Sequence, residues 1–341
     1  MIEELAAMPG RADPEAHPPV WAAAVVAYAC RAFVNKIRRS AYCGDGGTSR
    51  KGAPLVITRD VEASAVADLA LTPPRAALAA TVDDEILVLP VTLTLEDPAE
   101  PASSPRIVQV PEGNPDLTGR DVVVIADDGP QWFRLRSLTV RGIATAMGQA
   151  TYRVVPRRIV AWDYGSLREV PTPQGTSSPR QAPCSVTYEN DDVHPFRSPN
   201  LEAAVRSSRV MILASRSQKG TPFAVPLWFV AHHGRVYATT SASSWTVRNV
   251  AACPQVALLL GGEGRDGADR LLVRGCARAV RCTPPPAVLA RIAWRYYLHP
   301  RFAAVEVGHF RLWGRRIRFY RQAQAAHIVI TPQTATECRV P

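Results

Sequence analysis

The chain has 341 residues, 47% of them hydrophobic, and a mean hydropathy of −0.06; it is long enough for two packed domains and too polar on average for a membrane bundle. The formal net charge is +10, and among the 40 basic residues only Lys36, Lys51 and Lys219 are not arginine. The arginines form no long block interleaved with aromatics, which argues against nucleic acid and leaves a solvated surface or an anionic ligand such as a phosphate ester.

The apolar stretch Val20 to Val34 is too short to span a bilayer and is interrupted by Arg31. It also lacks the basic leader of a signal peptide, so neither a membrane span nor an export signal is expected. It reads as a helix covering another surface, with Lys36, Arg38 and Arg39 favouring its C-terminal end. Residues 41–54 read as a loop, so 1–54 form an N-terminal helical and loop extension. Seven cysteines (Cys30, Cys43, Cys184, Cys253, Cys276, Cys282, Cys338) form no CxxC pair and no metal spacing. They read as reduced thiols of a cytoplasmic protein.

From residue 55 the pattern is a run of short β-like segments. In the first block, 55–170, these are Arg75–Val82, Ile86–Leu95, Arg106–Val110, Asp121–Ala126, Trp132–Met147 and Thr151–Asp163. The proline-rich stretch 171–199 reads as a linker. In the second block, 200–341, the segments are Val210–Ser215, Phe223–Ala231, Arg235–Ser241, Gln255–Leu260, Arg270–Arg281, Ile317–Arg321 and His327–Thr331. Helices are expected at Trp245–Ala252 and Ala287–Leu298. His232 and His233, beside Gly234, read as an exposed hairpin tip rather than a metal site.

The two blocks look like copies. LTVRGIATAM at 138–147 matches LLVRGCARAV at 271–280, and LVLPVTL at 87–93 matches FAVPLWF at 223–229, with Pro90 opposite Pro226. The order and spacing of these matches agree between blocks. A strand proline cannot donate to the ladder, so both prolines should sit at an edge or bulge and leave a backbone group free for a ligand.

The segment VYATTSASSWTVRNVAACPQVALLL at 236–260 carries the most chemistry. A strand ends in Thr239, Thr240 and Ser241, and Ser243 or Ser244 can cap the helix that follows. Free amides at a helix N-terminus favour an anion, hydroxyls of Thr240, Ser241 and Ser244 add donors, and Arg248 lies one turn along from Ser244. An ordinary capped helix with a surface arginine fits the same spacing.

The strand Pro226-Leu227-Trp228-Phe229, the turn at Gly234, the strand end Thr239-Thr240-Ser241, the stretch Ser244 to Val250 and Cys253-Pro254-Gln255-Val256 together resemble the pyridoxamine-phosphate-oxidase-like family, which binds FMN or the deazaflavin F420. The first block resembles the same family through TVRG at 139–142 and YRVVPRRIVAWDYGSLRE at 152–169. The resemblance implies a mainly β fold with short helices, two tandem split β-barrels forming an intrachain pseudo-dimer. It implies a flavin-dependent oxidoreductase acting by hydride transfer on an unidentified small molecule, with FMN as cofactor and F420 as the alternative. The implied cofactor residues are Pro226, Leu227, Trp228, Thr239, Thr240, Ser241, Ser244, Thr246, Arg248 and Asn249, with Trp132, and beside it Arg134, as a wall from the first block. Assembly would be a monomeric pseudo-dimer or a homodimer of pseudo-dimers.

Thr246 stands where the family has a phosphate-binding lysine; Arg248 or Arg216 is the candidate to compensate. In the first block, Val110 to Thr118 has no basic residue and no helix start, so that copy should be degenerate as a phosphate binder. These departures support a second reading, a non-catalytic or cofactor-free split barrel. A haem-binding variant would draw on His309 or His327. The helix near 285–300 reads first as a packing helix, with Arg295, Tyr296 and Tyr297 as alternative candidates for a substrate mouth.

Overall fold

The computed structural model describes residues 55–59, 66–101, 103–129, 135–169, 196, 198–261, 270–298 and 325–341. The expected helix at Val20–Val34, the loop 41–54, most of the linker 171–199, the strand Ile317–Arg321, and Trp132, Arg134 and His309 lie outside the described residues. No described helix is long and apolar enough to cross a membrane.

The first block forms strands β1 (Leu55–Arg59), β2 (Arg75–Val82), β3 (Glu85–Pro90), β4 (Thr92–Leu95), β5 (Arg106–Gln109), β6 (Asp121–Asp127), β7 (Arg136–Gly148) and β8 (Thr151–Glu169), with a short helix α1 (Ala67–Leu71). The second forms α2 (Pro199–Ser207), β9 (Val210–Arg216), β10 (Pro222–His232), β11 (Arg235–Ser241), α3 (Trp245–Ala252), β12 (Gln255–Leu260), β13 (Arg270–Val280), α4 (Pro286–Ala293) with a π-helical turn Trp294–Leu298, and β14 (Ala325–Cys338).

The second block closes into a six-stranded antiparallel barrel, β10-β11-β14-β13-β12-β9. The first follows the path β3-β2-β6-β7-β8-β5-β4, with β1 added against β8. The two paths are the same once β3 and β4 are taken as halves of one strand equivalent to β10. Residues 222–228 of β10 pair with β9, and 229–232 pair with β11. In the first block β3 pairs with β2 and β4 with β5, the break falling at Val91 just after Pro90. Pro226 lies on the part of β10 that bonds only to β9, an edge where its missing donor costs nothing.

The shared V-R-G carries a structural feature as well as a sequence match. In β7 the register slips between Arg141 and Gly142, which faces Pro156; in β13 it slips between Arg274 and Gly275, which faces Pro332. Only glycine fits at these bulges, because an added Cβ would stand 2.3 Å from the Val155 carbonyl oxygen at Gly142 and 2.6 Å from that of Thr331 at Gly275.

The strands buried on both faces explain the near-continuous apolar runs. β2, β6 and β12 read RAALAATV, DVVVIAD and QVALLL and are buried along most of their length. One face of each fills its own barrel and the other meets the opposite half. Ile212, Ala214, Ala224, Ala257, Leu259 and Leu272 of the second block join the first block's core, while Met211, Leu213, Phe229, Val236 and Ile328 fill the second barrel. β3 packs on β12 and β9, and reciprocally β10 packs on β6 and β2. That is the self-complementary pattern of a two-fold interface, here within one chain.

Two arginines cross this interface. Arg75 holds Asp127 through Nε and Nη2, at 3.0 and 2.6 Å, and donates from Nη1 to the Val210 carbonyl at 2.9 Å. Arg270 donates to the Ala76 carbonyl at 3.0 Å. Burial first, and then the nearby Arg75 charge, push the Arg270 guanidinium down to about 10, against the pull of Asp127; it remains a cation at neutral pH.

Candidate functional site

The segment expected to hold a phosphate follows the end of β11. Thr239, Thr240 and Ser241 pair with His327, Ala326 and Ala325 of β14, and the chain then turns into α3. Ser241 Oγ lies 2.9 Å from Ser243 Oγ and accepts from the Ser243 amide at 3.3 Å. The Ser244 hydroxyl caps α3 by accepting from the Val247 amide at 3.2 Å. Among the described residues nothing is bonded to the amides of Trp245 and Thr246, which remain the open donors of the first turn.

The side chains of α3 divide by face. Val247 and Val250 enter the barrel core, Thr246 is buried, and Asn249 donates to Ser215 Oγ at 3.3 Å, tying the helix to β9. Thr246 and Asn249 therefore act from within the packing. Arg248 is exposed, with its guanidinium carbon 5.0 Å from the ring centre of Trp245, itself 55% exposed. The helix thus presents hydroxyls and amides at its start and one cation that rests on an indole.

The other expected residues flank the split where β10 and β11 part beyond the Phe229–Ala238 pair. Pro226 is buried and Leu227 packs on the barrel core. Trp228 points outward and stacks on Tyr296, ring centres 4.4 Å apart and nearly parallel, with Tyr297 edge-on at 5.9 Å. Tyr296 is fully buried; its hydroxyl lies 2.6 Å from the carbonyls of both Arg209 and Phe229 and accepts from the Phe229 amide at 2.9 Å. Arg295 bonds the Val205 carbonyl at 2.9 Å and covers the Phe229 ring. These contacts clamp α4 and its π turn to the barrel wall, the packing role first expected of this helix. His327 is likewise fully buried, with Nδ1 2.9 Å from the Cys282 carbonyl, a packing position rather than an accessible iron ligand.

The sequence did not reveal what the first block contributes. The turn between β2 and β3, with Asp83 and Asp84 at positive φ of 49° and 63°, reaches across the interface. Asp84 stands 3.6 Å from Arg216, and Glu85 pairs with Arg274. Arg216, the candidate to replace the missing lysine, therefore faces an exposed carboxylate. The first block's counterpart of α3 is irregular chain, with Asp116 bonded to Thr118 and Tyr152. It has no helical start and carries an acid, Asp116, in that stretch.

A closed antiparallel barrel split between β10 and β11, with a capped helix leaving the second of them, defines a split barrel. Residues 198–313 match the family model described as pyridoxamine 5'-phosphate oxidase. No curated protein sequence matches the chain. Among solved structures, an F420 reductase is 22% identical over 40% of this chain and 94% of its own, with a TM-score of 0.29. A conserved hypothetical protein from Mycobacterium tuberculosis is 20% identical over 45% and 90%, at 0.31. The heme storage protein HutZ from Vibrio cholerae is 15% identical over 42% and 96%, at 0.28.

Proposed function

We propose that this chain is an oxidoreductase that holds a flavin-type cofactor, FMN or alternatively F420, at the start of α3. The observation that carries this reading is the set of open donors there: the Trp245 and Thr246 amides beside the paired hydroxyls of Ser241 and Ser243. Backbone amides at a helix start, aided by the helix dipole, favour a phosphate even where no lysine is present. Such a cofactor supplies hydride chemistry when bound. The protein's part is to grip the anionic end, exclude water and orient a small-molecule substrate. With both halves supplied by one chain, the working unit would be a monomeric pseudo-dimer or a pair of them.

The cations support a second reading. Arg248 rests on Trp245, while Arg216 and Arg274 are engaged by Asp84 and Glu85. A charge-assisted bond contributes about 1.5–3 kcal/mol, so a loop without one binds weakly, and a cofactor-free or purely binding barrel follows. The absorbance spectrum of the purified protein, with titration of FMN and of F420, separates the two. A coloured protein, or saturable uptake weakened by Ser244→Ala, supports the oxidoreductase. A colourless protein that takes up neither compound supports the scaffold.

A further inference from the structure

A cluster of arginines lies outside the α3 loop. A cleft of about 260 Å³ opens between the start of β6, the β7–β8 bulge and the turn entering β10; Asp121, Arg141, Gly142, Arg157, Arg158, Thr221 and Pro222 border it. Arg141 and Arg158 are direct cross-strand partners, so their guanidinium groups share one face of the sheet. Like charges in that relation repel. Among the described residues neither forms an ion pair; Arg141 lies over the Phe223 ring at 5.7 Å. Burial first and Arg158 second hold the Arg141 guanidinium below its ordinary range, against the pull of Asp121. The cleft's single acid, Asp121, stands 3.7 Å from Arg157, with both side chains largely in solvent, where such a pair is weak.

The equivalent place in the other half shows what this cleft lacks. Arg274 corresponds to Arg141 by the shared bulge, and it faces Thr334 rather than an arginine. Its charge is met by Glu85 from the opposite turn. With Pro90 aligned to Pro226, the residue corresponding to Glu85 is Thr221. At the matching turn position one half thus meets an exposed carboxylate, while this cleft has a short neutral side chain there, with three arginines and the one exposed acid, Asp121. We propose that this cleft binds the phosphate group of a small phosphorylated molecule between Arg141 and Arg158, where Glu85 serves the opposite half. An adjoining hollow of about 420 Å³, bordered by Thr81, Asp83, Asp84, Arg120, Asp121 and Lys219 among others, has room for the rest of the molecule. Its charges are mixed: Arg120 stands 3.6 Å from Asp83, and Asp84 is taken by Arg216. The discriminating charge therefore lies at the arginine end. This site is independent of the α3 loop.

The test is calorimetric titration of the full chain with inorganic phosphate and pyrophosphate at low salt. Thr221→Glu installs the missing carboxylate on an exposed turn; it should abolish binding at this site and raise the melting temperature in phosphate-free buffer. Arg158→Gln should weaken binding about tenfold or more, the loss of one charge-assisted contact, while Arg158→Lys retains most of it. Ser244→Ala should leave this binding unchanged, which separates the site from the cofactor loop. Wild-type affinity in both Thr221→Glu and Arg158→Gln overturns the proposal, as does loss of all phosphate binding in Ser244→Ala alone. Should Thr221→Glu fail to fold, the Arg158→Gln and Arg158→Lys pair decides.

Discussion

The paired bulges provide a sharp test of the fold, because each rests on one missing methyl group. In Gly142→Ala the new Cβ would lie 2.3 Å from the Val155 carbonyl oxygen and 2.8 Å from Val154 Cγ1. In Gly275→Ala the corresponding distances are 2.6 Å to the Thr331 oxygen and 3.3 Å to Ile330 Cγ2. The close atom in each case is backbone held in a bulge, which cannot swing aside as a side chain can. Forcing extra volume into a packed site costs about 1–3 kcal/mol, and the stiffer unfolded chain returns about 0.4–1 kcal/mol. Net losses of about 2 kcal/mol for Gly142→Ala and about 1 kcal/mol for Gly275→Ala follow from the difference in overlap. Each kcal/mol lowers the melting temperature by roughly 2–4 °C in a domain of this size class. Urea unfolding followed by tryptophan fluorescence and circular dichroism measures both. A single transition is expected, since one core cluster draws residues from both halves. Wild-type stability in Gly142→Ala, or a larger loss in Gly275→Ala, would refute the argument.

Other perturbations reach the interface and the barrel wall. Asp127→Asn strips the counter-charge from buried Arg75 and from its neighbour Arg270 and should cost about 3–5 kcal/mol in chemical denaturation; replacing Arg75 and Asp127 together by apolar residues should cost far less. Tyr296→Phe leaves the Phe229 amide without its acceptor and should cost about 1–3 kcal/mol, read as a shifted urea midpoint. Burial holds the His327 imidazole below its ordinary 6.5, although the Cys282 carbonyl favours the charged form. The unfolded chain therefore binds a proton that the folded one resists, so this contribution is full above pH 6.5 and declines as pH falls towards the folded pKa. A stability profile between pH 7 and 5 should be flatter in His327→Gln than in the wild type.

Much of the β framework is legible from residue order alone. Arg75–Val82, Arg235–Ser241, Gln255–Leu260 and the helix Trp245–Ala252 have the boundaries expected from apolar runs punctuated by glycine, proline and serine. α2 was hidden because its Ser198 cap and Pro199 start fall at the end of a proline-rich stretch read as linker; proline marks a helix start as readily as a loop. The expected strand Ile86–Leu95 breaks at Val91 because its halves bond to different neighbours, a choice made by the sheet. Pro156 and Pro332, each in a strand after the V-R-G, were a readable third mark of the repeat. The loop hydroxyls were legible, being neighbours in sequence. The pairing of Arg216 with Asp84 and of Arg274 with Glu85 was not, since it exists only once the halves meet.

The asymmetry of that meeting has a physical consequence. In a true two-fold dimer each β-turn tip faces its copy, so a carboxylate that neutralises one arginine neutralises both. Fusion removes that constraint. Here the tip Asp83-Asp84-Glu85 supplies acids to Arg216 and Arg274, while the tip Lys219-Gly220-Thr221 supplies none to Arg141 and adds a lysine nearby. Arg216 and Arg274 thereby face carboxylates, while Arg141, Arg157 and Arg158 share the one acid Asp121. Clefts lined by one sign of charge focus ligands of the other sign, so on the two proposals above the halves would hold anions differently: the second through neutral backbone donors, the first through arginines.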